Sequence, residues 1–186
     1  MTTTLTAVEP ASATGAAKEL LDQVQKAFGT TPNMTKMMAN SPALLRGYLA
    51  LSGALATGTI NAGRREQLAI ATAETNGCNY CLSAHTYIGG AVGKLPASEL
   101  DAARDAKSAD PHTSALLTLS DAILRTRGRV APDQIENARA AGVTDAEIGE
   151  VVGHIALNVL TNYFNVLTDV ENDWPVVVEP RTAVQA

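Results

Sequence analysis

Aromatic side chains are scarce in this chain: two Phe, four Tyr and one Trp among 186 residues, 4% of the total. Runs of β-branched residues are also few. These are the side chains that suit pleated, half-buried strands, so a sheet-built core is not expected. Nothing resembles a basic stripe either, and the net charge of −5 with a pI near 5.1 argues against nucleic acid as a partner. No stretch reaches the roughly 18 consecutive apolar residues of a membrane span. The opening "MTTTLTAVEP" has no positive region followed by an apolar run of signal-peptide length. A cytoplasmic location with no membrane partner is the resulting expectation. "NMT" at 33–35 fits a glycosylation acceptor, which in a cytosolic chain is a chance match.

What the chain does contain is 46% apolar residues, much of that alanine, the strongest helix former. Helical periodicity and its punctuation recur along the length. "ASATGAAKELLDQVQKAFG" places Ala16, Leu20, Val24 and Ala27 at helical spacing before Gly29. Ser41-Pro42 is an N-cap followed by proline at the first helical position, opening a helix to about Thr57. Further helices are expected from Gly63 to Thr75, Cys78 to Ala91, just after Pro96, from Asp110-Pro111 to Gly128, and from Pro132 to Ala141. The longest begins at the capping box Thr144-x-x-Glu147 and is expected to reach Asn172 before Pro175. The fold class is therefore all-α, in a single domain over 1–186, with a loose N-terminal arm at 1–10 and an extended or mobile tail at 176–186.

Both cysteines of the chain fall in "TNGCNYCLSAHTY". At about 100° per residue, Cys78, Cys81 and His85 lie within about 60° on one helical face. Cysteines at a helix start meet unpaired backbone N–H groups and the positive end of the macrodipole, which favour thiolate. A thiol pKa lowered from about 8.5 to about 6.5 raises the thiolate fraction at pH 7 from roughly 3% to roughly 75%. As a staple the pair is poor, because so short a loop yields only roughly 2 kcal/mol before strain. A zinc site needs four ligands and the motif supplies three, although His112 or His154 could join. Covalent haem attachment needs His directly after the second cysteine, where Leu82 stands. A thioredoxin fold needs a strand before the motif, and "REQLAIATAET" reads as helix. A buried cysteine pair beside a satisfied core histidine stays open. The preceding helix carries Glu66 and Glu74, about 80° apart around its axis. A carboxylate serving this site would orient His85 or pass protons, since directly beside a thiol it would raise the thiol pKa.

"RREQLAIATAETNGCNYCLSAHT" resembles the AhpD-like alkylhydroperoxidase branch of the carboxymuconolactone decarboxylase superfamily, in particular peroxidase-related members with Tyr between the cysteines. The family motif of Glu, eleven residues, Cys-x-x-Cys, three residues and His maps onto Glu66, Cys78, Cys81 and His85 with every spacing kept. The strong likeness covers about residues 60–92, and "NYFNVLTDVENDWP" is similar to the family's last helix more loosely. The resemblance implies an AhpD-like helical fold assembled as homo-trimers or hexamers. It implies that Cys81 attacks a hydroperoxide, His85 takes its proton, Glu66 relays protons through water, and Cys78 resolves the sulfenic acid into a Cys78–Cys81 disulfide. It further implies reset by a dithiol reductant such as a dihydrolipoyl protein, with no bound cofactor or metal. AhpD itself has a second histidine between the cysteines; here Tyr80 stands in its place, so no role for that histidine carries over.

Two other functions are weighed against this peroxidase. A redox-responsive scaffold or sensor would use the same disulfide without turnover. Lactone decarboxylation has no use for a dithiol. On the last helix His154, Asn158 and Asn162 recur every four residues and are expected to be buried polar groups bonded across helices.

Overall fold

The computed structural model describes residues 5–181. Among these residues every regular element is a helix: α1 (Gly15–Phe28), α2 (Asn33–Met38), α3 (Pro42–Ala56), α4 (Ala62–Asn76), α5 (Asn79–Ala91), α6 (Ala97–Arg104), α7 (Pro111–Thr126), α8 (Pro132–Ala140) and α9 (Asp145–Thr168). The expected caps form. Ser41 Oγ accepts from Leu44 N, Asp110 Oδ1 accepts from Thr113 N, and Thr144 and Glu147 bond reciprocally at the start of α9.

Helix α4 is the hub. It packs on α5, α6, α7 and α9, and Gln67 to Glu74 form an unbroken buried run. A helix covered on all sides belongs in the middle of a fold. Leu68 and Ile70 from this helix join Leu21, Val24, Met38, Leu45, Ile60, Leu82, Leu116, Leu117 and Val151 in the fully buried core. No described helix is long and apolar enough to cross a membrane.

Two expectations need correction, and a third is met with an addition. Helix α9 ends at Thr168, not Asn172, because Asp169 adopts a left-handed backbone (φ 49) and its N–H turns back to the end of the helix. The N-terminal arm is tied down where it is described. Val8 N donates to Lys36 O at 3.1 Å, and Asn40 Nδ2 donates to Thr6 O at 2.7 Å. The tail is extended as expected but anchored. Val178 N donates to Ser83 Oγ at 2.9 Å, and Arg181 reaches Glu74, Asp101 and Asp105. Residues 1–4 and 182–186 of these two segments lie outside the described residues.

Candidate active site

Two consecutive helices carry the four residues of the motif, and the turn between them sets their geometry. Gly77 takes a left-handed backbone (φ 67). Its N–H bonds to Glu74 O, and Cys78 N bonds to Ala73 O. This is a Schellman closure, which ends α4 and reverses the chain. Cys78 is then the N-cap of α5, one position outside the helix that sequence reasoning expected it to begin. Its Sγ accepts from Cys81 N at 3.3 Å, so a sulfur takes the place usually held by a Ser or Asp oxygen. One turn past His85, Gly89 lets α5 approach closely: a Cβ there would come within 2.7 Å of Leu100 Cδ2 and 3.5 Å of Glu66 Cβ.

Both thiols are buried and no disulfide joins them. Their environments push them in opposite directions. Burial raises the Cys81 pKa, but it is outweighed by a hydrogen bond from the Cys78 thiol, the charge of His85, and the amides of Asn165 and Asn162; the result is lowered to about 7. The shared hydrogen bond, followed by burial, pushes the Cys78 thiol far up. Of the two thiols, Cys81 is therefore the one that ionises first, and Cys78 keeps its proton. The two groups titrate as a pair.

His85 stands beside this pair with its ring turned to α4. Its Nδ1 lies 2.8 Å from Glu66 Oε2, with both side chains largely covered. Burial disfavours the imidazolium, yet the Glu66 charge, the hydrogen bond to it and the Cys81 thiolate together raise the His85 pKa. No hydrogen bond joins His85 to either sulfur among the described residues; it acts on Cys81 through charge. Glu74, the other carboxylate weighed from the sequence, serves elsewhere. It pairs with Arg104 Nε at 2.6 Å and lines a separate cleft of about 650 Å³ with Arg125 and Arg181.

Several residues at the site were not legible in the motif. Asn165 Nδ2 on α9 donates to Cys81 Sγ at 3.1 Å. Asn162, fully buried, accepts from Asn76 Nδ2 at 2.9 Å through Oδ1, the cross-helix bond expected for this stripe. Contrary to that expectation, Asn158 Nδ2 donates within α9 to His154 O at 2.9 Å, and the buried His154 Nε2 has no hydrogen-bond partner among the described residues. Continuing that stripe by three residues would have reached Asn165. The Tyr48 phenol is pushed up to about 12 by burial and by the Cys81 and Glu66 charges, and remains a neutral O–H donor near the site. His154 is buried and held neutral, first by burial and then by Arg65. Tyr80, between the cysteines, is aimed away from chemistry: its hydroxyl donates to Asp173 Oδ1 at 2.8 Å and accepts from Met34 N at 3.4 Å. No group of three or more His, Cys, Asp or Glu among the described residues is placed to hold a metal ion.

The divided thiols lead to a direct expectation. Alkylation of Cys81 by iodoacetamide should titrate with a midpoint near 7, well below the roughly 8.5 of a free thiol. Cys78 should remain unmodified through that range. A midpoint at the free-thiol value, or faster labelling of Cys78, overturns the division of roles.

Comparison with known proteins bears on the fold and on part of the sequence. Residues 42–109 match the model of the Carboxymuconolactone decarboxylase family. An alkyl hydroperoxide reductase of Mycobacterium tuberculosis is 34% identical over 80 residues, a stretch that spans 42% of this chain and 23% of that protein. Among solved structures, the AhpD core of a peroxidase-related protein from Ralstonia eutropha superposes with a TM-score of 0.82 at 24% identity, covering 93% of each chain. The debrominase Bmp8 superposes at 0.77 with 18% identity over 93% of this chain and 94% of that one, so the fold is shared across different chemistries. Residues 42–109 thus resemble the Carboxymuconolactone decarboxylase family, and the chain as a whole has the AhpD-like helical fold.

Proposed function

We propose that the chain is a thiol-dependent peroxidase that reduces hydroperoxides through a Cys78/Cys81 dithiol–disulfide cycle. One observation carries this reading: two buried, unbridged cysteines share the first turn of α5, with Cys81 N on Cys78 Sγ at 3.3 Å, Asn165 Nδ2 on Cys81 Sγ at 3.1 Å and His85 held by Glu66 at 2.8 Å. Cys81 thiolate attacks the terminal oxygen of the hydroperoxide and the O–O bond breaks. The electron pair leaves on the alkoxide, which takes a proton from His85. Glu66 keeps His85 in the protonated form and passes protons on. The Cys78 sulfur then displaces hydroxide from the Cys81 sulfenic acid, releasing water and closing the disulfide. An external dithiol, of the dihydrolipoyl type, restores the resting state.

The exposed apolar side chains of α9, with Val152 at 51%, Tyr163 at 61% and Val166 at 55%, support self-association as a trimer or hexamer. A dithiol that must be re-reduced in each cycle fits the cytoplasm.

Mass spectrometry after one equivalent of peroxide tests the cycle. The peptide holding both cysteines should lose about two daltons, the mass of two hydrogens. With dihydrolipoamide present, peroxide should be consumed continuously. Disulfide formation without turnover would favour a redox-responsive scaffold instead, and an unchanged peptide mass removes the peroxidase.

A further inference from the structure

The Cys81 sulfur is met from α9 by two carboxamides, and the part of each that does not face a partner is as informative as the part that does. Asn165 donates to the sulfur through Nδ2 at 3.1 Å, while its Oδ1, buried, has no hydrogen-bond partner among the described residues. Asn162 is fixed in the opposite sense. Its Oδ1 is occupied by Asn76 Nδ2 at 2.9 Å, and its Nδ2, also buried, has no aligned partner among the described residues. That amide nonetheless lies close enough to the sulfur to help lower the Cys81 pKa. Asn162 is 0% exposed and Asn165 3%. A buried donor or acceptor left unmade costs roughly 1–3 kcal/mol, so one orphan of each kind beside the same sulfur calls for a ligand that satisfies both.

We propose that Asn162 and Asn165 form a receptor for the hydroxyl of a peroxide: the terminal oxygen accepts from Asn162 Nδ2 and its hydrogen donates to Asn165 Oδ1. This rests on the peroxidase reading and names the group that the site binds. The match is specific in kind. A hydroperoxide presents one acceptor and one donor on the very oxygen that the sulfur attacks. An alkyl halide presents neither, and a disulfide presents no donor. The assignment also covers the product. When Cys81 sulfur takes the terminal O–H and the O–O bond breaks, the same oxygen and the same hydrogen become those of the sulfenic acid. The pair of asparagines therefore holds one O–H group on both sides of the transfer. The orphan groups are preorganised, since Asn76 fixes one carboxamide and the sulfur fixes the other. Donors that need not reorganise as charge moves are the most effective kind.

The test is a ratio of two rates on the same sulfur, each variant being measured on the upper plateau of its own alkylation–pH curve, where Cys81 is ionised. One reagent is hydrogen peroxide, which needs the receptor. The other is methyl iodide, which is attacked at carbon and has neither a hydroxyl nor an amide to bind. Asn162→Ala should slow the peroxide reaction roughly 10- to 100-fold while changing alkylation by no more than about twofold. Asn165→Ala should lower the same ratio, and it should also shift the alkylation midpoint upward by removing the bond to sulfur. Asn165→Asp, which keeps the acceptor and loses the donor, should raise that midpoint while restoring part of the peroxide ratio. Should Asn162→Ala fold poorly, Asn162→Ser serves in its place. If both rates fall together, or the ratio is unchanged, the receptor is overturned while the peroxidase stands. If the unsubstituted protein alkylates normally at Cys81 yet does not react with peroxide, both readings fall.

Discussion

Cys81→Ser should abolish peroxide consumption, and Cys78→Ser should limit it to a single event per chain. The difference follows from which sulfur ionises first. Cys81 carries the charge because Cys78, His85, Asn165 and Asn162 all favour its ionised form against the cost of burial. A serine hydroxyl at the same position stays protonated and cannot displace an alkoxide from oxygen. Loss of a nucleophile that acts together with its activating groups costs at least roughly 10³ in rate. Cys78→Ser is a gentler change. Serine still has an O–H to donate toward Cys81 Sγ, and as an N-cap for α5 its oxygen is a stronger acceptor from Cys81 N than the sulfur it replaces. The thiolate should persist and attack once. With no second sulfur to resolve it, the product should accumulate as sulfenic acid, a gain of about 16 daltons on the Cys81 peptide, trappable by dimedone. Steady turnover in either variant would reverse the assignment of nucleophile and resolving thiol.

How far the sequence reveals this site depends on how many helices a given contact spans. Glu66, Cys78, Cys81 and His85 sit on neighbouring helices separated by a turn that Asn76-Gly77 announces, so their spacing alone brings them together. The Asn165–Cys81 contact links residues 84 apart and depends on how α9 crosses α5, which no local pattern encodes. The buried stripe of His154, Asn158 and Asn162 is visible as a four-residue recurrence, but its extension to Asn165 needs a step of three. Tyr80 shows a second kind of limit. Its position between the cysteines suggests a chemical substitution for histidine, yet the structure gives it Asp173 as a partner, 93 residues on. The C-terminal segment that supplies Asp173 has little periodicity of its own and is held by contacts made to other elements. The same reason explains why the arm and tail read as loose: their order comes from Lys36, Ser83 and Glu74, not from their own residues.

Glu66→Gln should narrow the pH profile of peroxide reduction from both sides and lower its maximum. In the unsubstituted protein the rate should rise with pH as Cys81 loses its proton near 7. It should fall again as His85 loses the proton needed by the departing alkoxide, at a pH above the ordinary 6.5 because Glu66 raises it. Glutamine preserves the shape at 2.8 Å from Nδ1 but carries no charge. The His85 pKa then drops, and the descending limb moves to lower pH. With less imidazolium beside it, Cys81 is harder to ionise, and the ascending limb moves to higher pH. The fraction of chains holding thiolate and imidazolium together shrinks from both directions. A rise of about one unit in the thiol alone reduces the thiolate at pH 7 several-fold. Loss of the positioned acid adds a factor of roughly 10². The stability changes carry matching signs. A depressed Cys81 pKa stabilises the fold above the free-thiol value of about 8.5, and this contribution disappears as pH falls through 7. A raised His85 pKa stabilises it below about 6.5, and that contribution is lost as pH rises through the folded value. Glu66→Gln should therefore reduce stability most on the acid side, where the His85 contribution is complete, and least at high pH. Thermal melts across the pH range, read beside the rate profile, separate this electrostatic coupling from a packing defect, which would lower stability equally at every pH and leave both limbs in place.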